Sequence, residues 1–218
     1  MADNQTPSVN PAEEATLTGV LRTAIRKELQ QTDGMMPVEV VSYDRATNRA
    51  TVRHLVQMQG SDGAKVDRAQ VSSIRVLQPG NGAFSMSLPI KPGDKGWLLA
   101  ADRDISVFQQ DVDRQDAPNT ARMKSFQDGL FMPDAMKMGD VPAGEGDRVV
   151  IGSNDGGSIL SFDGSGFYFT IGGVSVAITA AGIEITGGEV RHNGLNIGST
   201  HTHGGIVPGG GNTLVPNA

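Results

Sequence analysis

Apolar residues recur along this chain with two different periods, and the switch between them divides it. Over residues 11–32 they fall three and four apart, at Leu17, Val20, Leu21, Ala24, Ile25 and Leu29, which places one apolar stripe along a helix. Asn10 can cap that helix, Pro11 suits its first position, Glu13 lies three residues after the cap, and Gly34 can end it. Its stripe is suited to packing on the domain that follows or on a partner protein. The polar residues before it read as disordered, so 1–35 is a disordered start followed by an amphipathic helix.

From Pro37 the period becomes two. Pro37–Tyr43, Arg49–Val56, Val71–Leu77 and Gly96–Ala101 read as short strands, with turns at Asp44–Asn48, Gly60–Gly63, Pro79–Gly82 and Pro92–Asp94. Strands of this number and length predict a small antiparallel barrel, most simply an OB-fold, over 36–115. Its strands offer few aromatics for base stacking, chiefly Tyr43 and Trp97, so the barrel is expected to be a docking domain and not a nucleic-acid binder. Residues 116–147 mix polar positions with Phe126, Leu130, Phe131, Met132, Met136 and Met138 and read as a connecting segment.

At about Asp147 the pattern changes again. Short alternating runs appear at Leu160 and Phe162, Phe167 to Ile171, Val174 to Ile178, Ile183 and Ile185, and Leu195 and Ile197, separated by glycine-containing turns. One chain of such strands makes a narrow ribbon that cannot bury its apolar face and leaves its edges unpaired. Three copies wound about an axis would remove both defects. The expected fold is therefore mainly β: a helix, an OB-like barrel, then an intertwined trimeric β-helix over 148–198, with 199–218 as its tapered tip.

Composition sharpens this picture. The 218 residues carry a net charge of −6, with 29 glycines and no cysteine. That gives no basic footprint for nucleic acid and no disulfide or thiol chemistry. No stretch resembles an apolar span or a signal peptide, so synthesis in the cytoplasm is expected. After residue 150 no lysine occurs and charge is confined to Asp155, Asp163, Glu184, Glu189 and Arg191.

Candidate chemistry is concentrated at the tip. In an extended chain His201 and His203 share a face, and neutral imidazole is a good transition-metal ligand. One chain supplies only these two, because no Cys, Asp or Glu follows Arg191. A threefold axis would gather six imidazoles, a set suited to an octahedral ion such as iron(II). Taken alone, the pair is equally what a solvated glycine-rich tail or a purification tag would contain. His54 reads as a strand residue, partly buried or on the surface, and His192 as a surface residue. Arg103 lies between Asp102 and Asp104 and is expected to neutralise them, so no catalytic pair emerges and the protein is not expected to be an enzyme.

The run Thr200-His201-Thr202-His203-Gly204-Gly205, then Val207-Pro208-Gly209-Gly210-Gly211-Asn212-Thr213 and the late Pro216-Asn217, resembles the apex of the central spike proteins of contractile-tailed bacteriophages. Lys91 to Trp97, Asp102 to Ser106 and Phe126 to Gly129 resemble the N-terminal domain of one branch of those spikes. The resemblance implies a homotrimeric cell-puncturing device with an OB-fold collar on the baseplate hub protein and a β-helical shaft. It also implies one iron per trimer, held by His201 and His203 of each chain. The place would be the baseplate tip of the virion and the target the host outer membrane and envelope. A trimeric receptor-binding tail fibre or adhesin, or the spike of a tailocin or secretion system, would share much of this architecture.

Overall fold

The computed structural model describes residues 16–59, 63–113, 115–136 and 146–201. The chain divides into two compact units, Met1–Met136 and Lys137–Ala218.

The first unit begins with helix α1, Leu17–Gln31. Thr16 is extended and its hydroxyl oxygen accepts a hydrogen bond from the Gly19 amide at 3.1 Å, so Thr16 is the N-cap. The helix therefore starts later than the expected 11–32, and the expected cap, Asn10 with Pro11, lies outside the described residues. At the other end the Thr32 amide and hydroxyl both donate to the Leu29 carbonyl. Gly34 is not the terminator; its carbonyl accepts from Ala100 in the barrel.

The barrel strands are β1 (Met35–Asp44), β2 (Arg49–His54), β5 (Val71–Val76), β6 (Lys95–Ala101) and β7 (Ser125–Pro133). A minor hairpin, β3 (Met58–Gln59) with β4 (Lys65–Val66), interrupts them, and helix α2 (Ser106–Gln110) precedes β7. The strands close in the order β1-β2-β5-β7-β6. Long β1 serves two neighbours: its first half pairs with β6 and its second with β2, with an irregularity between Val40 and Ser42. Alternation along the strands sends Val38, Val40, Val52, Ile74, Val76, Leu98 and Phe131 inward, where they form the core with Ala50 and Phe126.

The mainly β fold with its small OB-like barrel is as expected, but two details differ. The barrel is not wholly antiparallel, because β5 and β7 run parallel at Arg75–Leu130 and Val76–Phe131. It also extends past residue 115: β7 lies inside the 116–147 stretch expected to be a connection. Asp128-Gly129 looks like a turn signal in sequence, yet Asp128 is buried against Arg122. Gly129 is needed where β7 meets its neighbour, since a Cβ there would stand 2.8 Å from a Leu98 methyl.

The second unit is an antiparallel meander of β8 (Val149–Gly152), β9 (Ser158–Asp163), β10 (Gly166–Ile171), β11 (Val174–Thr179) and β12 (Gly182–Thr186). The hairpin β13 (Arg191–His192) with β14 (Leu195–Asn196) follows. Its turn, Asn193-Gly194, has positive φ at both residues, 47° and 84°, the backbone a tight two-residue hairpin needs. The register fixes the faces. Phe162, Phe167, Ile178 and Ile183 form one cross-strand row, and Leu160, Phe169, Val176 and Ile185 the next. Val149 and Ile151 of β8 extend both rows.

Candidate functional site

The meander concentrates its large apolar side chains on one face. On the reverse side the row through Ser161, Tyr168, Ala177 and Glu184 is largely polar, and it is well partnered. The Arg148 guanidinium lies 3.7 Å from the Tyr168 ring centroid, and its Nε donates to Asp163 at 3.0 Å. The Ser165 amide and then Arg148 hold the Asp163 carboxyl below its usual range. Among the described residues the apolar face has no such cover. Phe167 is 50 % exposed and Ile183 70 %, and Ser161 is the single buried residue among those described in this unit.

An apolar sheet face left to water is the unusual observation here, because exposed apolar patches of this extent mark interaction surfaces. Each strand is only four to six residues long, so the face is a narrow band. Stacking such a band on another apolar surface would bury it, as sheets do when they pack face to face.

Beyond the meander, the β13–β14 hairpin leads to His201. Asn196 organises this approach: its Oδ1 accepts from the Gly198 amide and its Nδ2 donates to the Thr200 hydroxyl, both at 2.8 Å. The His201 amide donates to the Gly198 carbonyl at 3.1 Å, and the ring Nδ1 reaches the same carbonyl. A carbonyl only accepts, so Nδ1 carries the proton and Nε2 is the lone-pair nitrogen. His203 lies outside the described residues. Among the described residues no group of three or more His, Cys, Asp or Glu could hold a metal ion. His192 is exposed on β13 with its Nε2 3.3 Å from Asn193 Nδ2.

In the barrel unit, the cation of the acidic cluster is not the expected one. Asp104 is neutralised by Arg122 at 3.3 Å, and Arg122 also pairs with Asp128 at 2.7 Å; Arg103 bonds only to the neighbouring Asp102 carbonyl among the contacts described. Bonds from Ser106 and Thr120, with Arg122, hold the Asp104 carboxyl far below its ordinary range. The cluster ties the segment after β6 to β7, a structural task. Arg122 is distant in sequence, and its short-range rival Arg103 hid it.

At one rim of the barrel an open cleft of about 590 Å³ is lined by His54, Met58, Arg68, Val71 and Phe126, with Asp33 beside them. His54 packs on Phe126 at 5.0 Å between ring centroids. Both His54 ring nitrogens and Arg68 Nε are buried without a hydrogen-bond partner. Burial, and then the Arg68 charge, push the His54 pKa down against smaller opposing effects of the Ala69 backbone and Asp33. As expected of His54, it is partly buried at the end of a barrel strand; its unsatisfied nitrogens were not visible in the sequence.

Residues 36–134 match the family model described as the phage protein Gp138 N-terminal domain. The match covers the barrel and just under half of the chain, and it supports a phage-related protein. No curated protein matches the chain.

Proposed function

Taking residues 36–134 as a phage-protein domain, we propose that the chain is a homotrimeric central spike at the tip of a contractile tail baseplate. The observation that carries this reading is the uncovered apolar face of β8–β12. Three such faces turned toward a common axis would form one continuous core, and the edges at β8 and β12 would meet their neighbours, which removes the hazard of open strand edges. The barrel would serve as the collar that docks on the baseplate hub protein, and the meander as the shaft.

The part is mechanical, not enzymatic. Sheath contraction supplies the force, and the spike contributes stiffness and a small tip that breaches the host envelope. At that tip His201, with His203, would hold one iron ion per trimer. The donor chemistry fits in kind: imidazole is a good transition-metal ligand, and the Nδ1 of His201 lies against the Gly198 carbonyl, the sort of backbone anchor that orients such a ligand. A bound ion shared by three chains adds its binding free energy to assembly. Asn196 and Gly198 set the turn that delivers His201 to the axis.

Light scattering on the purified full chain, with metal content read from the same peak, tests both halves of this reading. The expected result is a mass of three chains with about one iron per trimer. A single-chain mass at all concentrations would sink the spike reading, whereas a metal-free trimer would remove only the iron apex.

A further inference from the structure

One rim of the barrel carries a finger and the opposite rim a socket. The finger is residues 77–90, between β5 and β6, which contain no ionisable side chain. It is stiffened from within. The Asn81 side chain accepts from the Ala83 and Phe84 amides, the Asn81 amide donates to the Phe84 carbonyl at 2.7 Å, and Gln78 bonds Ser85 at 2.6 Å. Gly80 and Ser85 bridge across its base so closely that a Cβ on Gly80 would stand 2.2 Å from the Phe84 carbonyl oxygen. This rigid turn holds Phe84 80 % exposed, with Met86 and Leu88 also exposed behind it. A large aromatic held in water on a preorganised loop is what an interface anchor looks like before it docks.

The socket is the cleft at His54. Its floor is apolar and aromatic, through Val71 and Phe126, and its unsatisfied nitrogens on His54 and Arg68 are buried. Unpaired buried polar atoms of this kind, a donor on Arg68 and one donor and one acceptor on the His54 ring, destabilise until something supplies partners. A turn such as Asn81–Phe84 brings backbone carbonyls alongside an aromatic ring, and an aromatic also packs well beside the His54 ring and against the Arg68 guanidinium. An uncharged finger costs little to desolvate in such a site.

The two features cannot serve each other within one barrel. Val71 lines the socket and the finger leaves from the Val76 end of the same strand, about 17 Å away at roughly 3.3 Å per residue. They therefore lie at opposite rims, and a finger meets a socket only on another copy. Such a contact is head-to-tail, and head-to-tail contacts close into rings when the rotation allows. We propose that Phe84 of each chain docks in the His54 cleft of the next, linking three barrels into a closed ring. This rests on the trimeric reading given above and names the contact that holds the collar, as distinct from the shaft.

The chain has no cysteine, so introduced pairs report cleanly. In the full-length protein, Ala83→Cys combined with Ala69→Cys, and separately with Gln70→Cys, places one thiol on the finger beside an intact Phe84 and one at the mouth of the socket. Disulfides form only where Cβ atoms approach within about 4.5 Å. Mild oxidation of a dilute sample is expected to link chains covalently up to three and no further, and each single variant is expected to stay unlinked. Phe84→Asp is expected to raise the concentration at which the trimer dissociates at least tenfold, while Phe84→Trp leaves it unchanged. Trimers by light scattering that neither pair links, and that Phe84→Asp leaves as tight as before, overturn the ring contact while sparing the spike. Single chains by light scattering throughout overturn the trimer itself and the ring with it.

Discussion

At the scale of single residues, the barrel is most sensitive where backbone and ring approach closely. Gly96 in β6 lies against Phe131, and a Cβ there would come within 2.6 Å of that ring and 2.3 Å of the Met132 carbonyl oxygen. Gly96→Ala should cost about 1–3 kcal/mol of barrel stability by overpacking, read as a lower urea midpoint with an unchanged slope. Asp104 makes a prediction about acid. Its folded pKa is depressed by its hydrogen bonds and Arg122, so the unfolded chain takes up a proton first as pH falls. The stabilisation is complete above the ordinary aspartate pKa of about 3.9 and is lost progressively below it. A melting-temperature series from pH 6 down to 2 should therefore fall less steeply for Asp104→Asn than for the native protein. Equal slopes would show that Asp104 contributes nothing to acid sensitivity. Asn196 offers a third residue-level test. Asn196→Ala removes two bonds that shape the approach to His201, and under the spike reading it should lower iron per trimer while the trimer mass persists; undiminished iron would show that the turn needs no such support.

At the scale of elements, the apolar face of β8–β12 has a simple expected response. Phe169→Asp puts a charge in the middle of a face that would be buried in the assembly, at a position already 41 % exposed in the single chain. The meander should keep its strands by circular dichroism while light scattering shows the loss of trimers; trimers of native mass would mean that the face is not the contact. Alternation made these strands legible from the sequence, because side chains of period two declare a face whatever covers it. Thus β10, β11 and β12 fall where the spacing of Phe167, Val174 and Ile183 puts them. The barrel was harder to read where local signals competed with distant partners. Asp128-Gly129 imitates a turn, and only Arg122 and Leu98, brought near by the fold, make it part of β7. The finger and socket escaped notice altogether, since a cleft joining His54, Arg68 and Phe126 has no sequence period.

At the scale of the whole molecule, assembly and stability should be one property. If the shaft acquires its core only in the trimer, the melting temperature should rise with protein concentration, as it does whenever folded subunits bind one another. A melting temperature constant over a hundredfold dilution series would mean that the chain is stable alone. The mainly β architecture, the OB-like barrel and the phage-protein match concern the single chain, whereas the proposed shaft and tip would acquire meaning only among three. The uncovered face also has a consequence during synthesis. Under the spike reading, a newly made chain would carry five strands of exposed valine, isoleucine and phenylalanine until two siblings arrived, and lysine, the usual guard of strand edges, is missing from residue 151 onward. Capture by siblings would then compete with indiscriminate stacking, and the yield of trimers would depend on how quickly copies meet. The short strands and glycine turns would limit how far any wrong stack could grow.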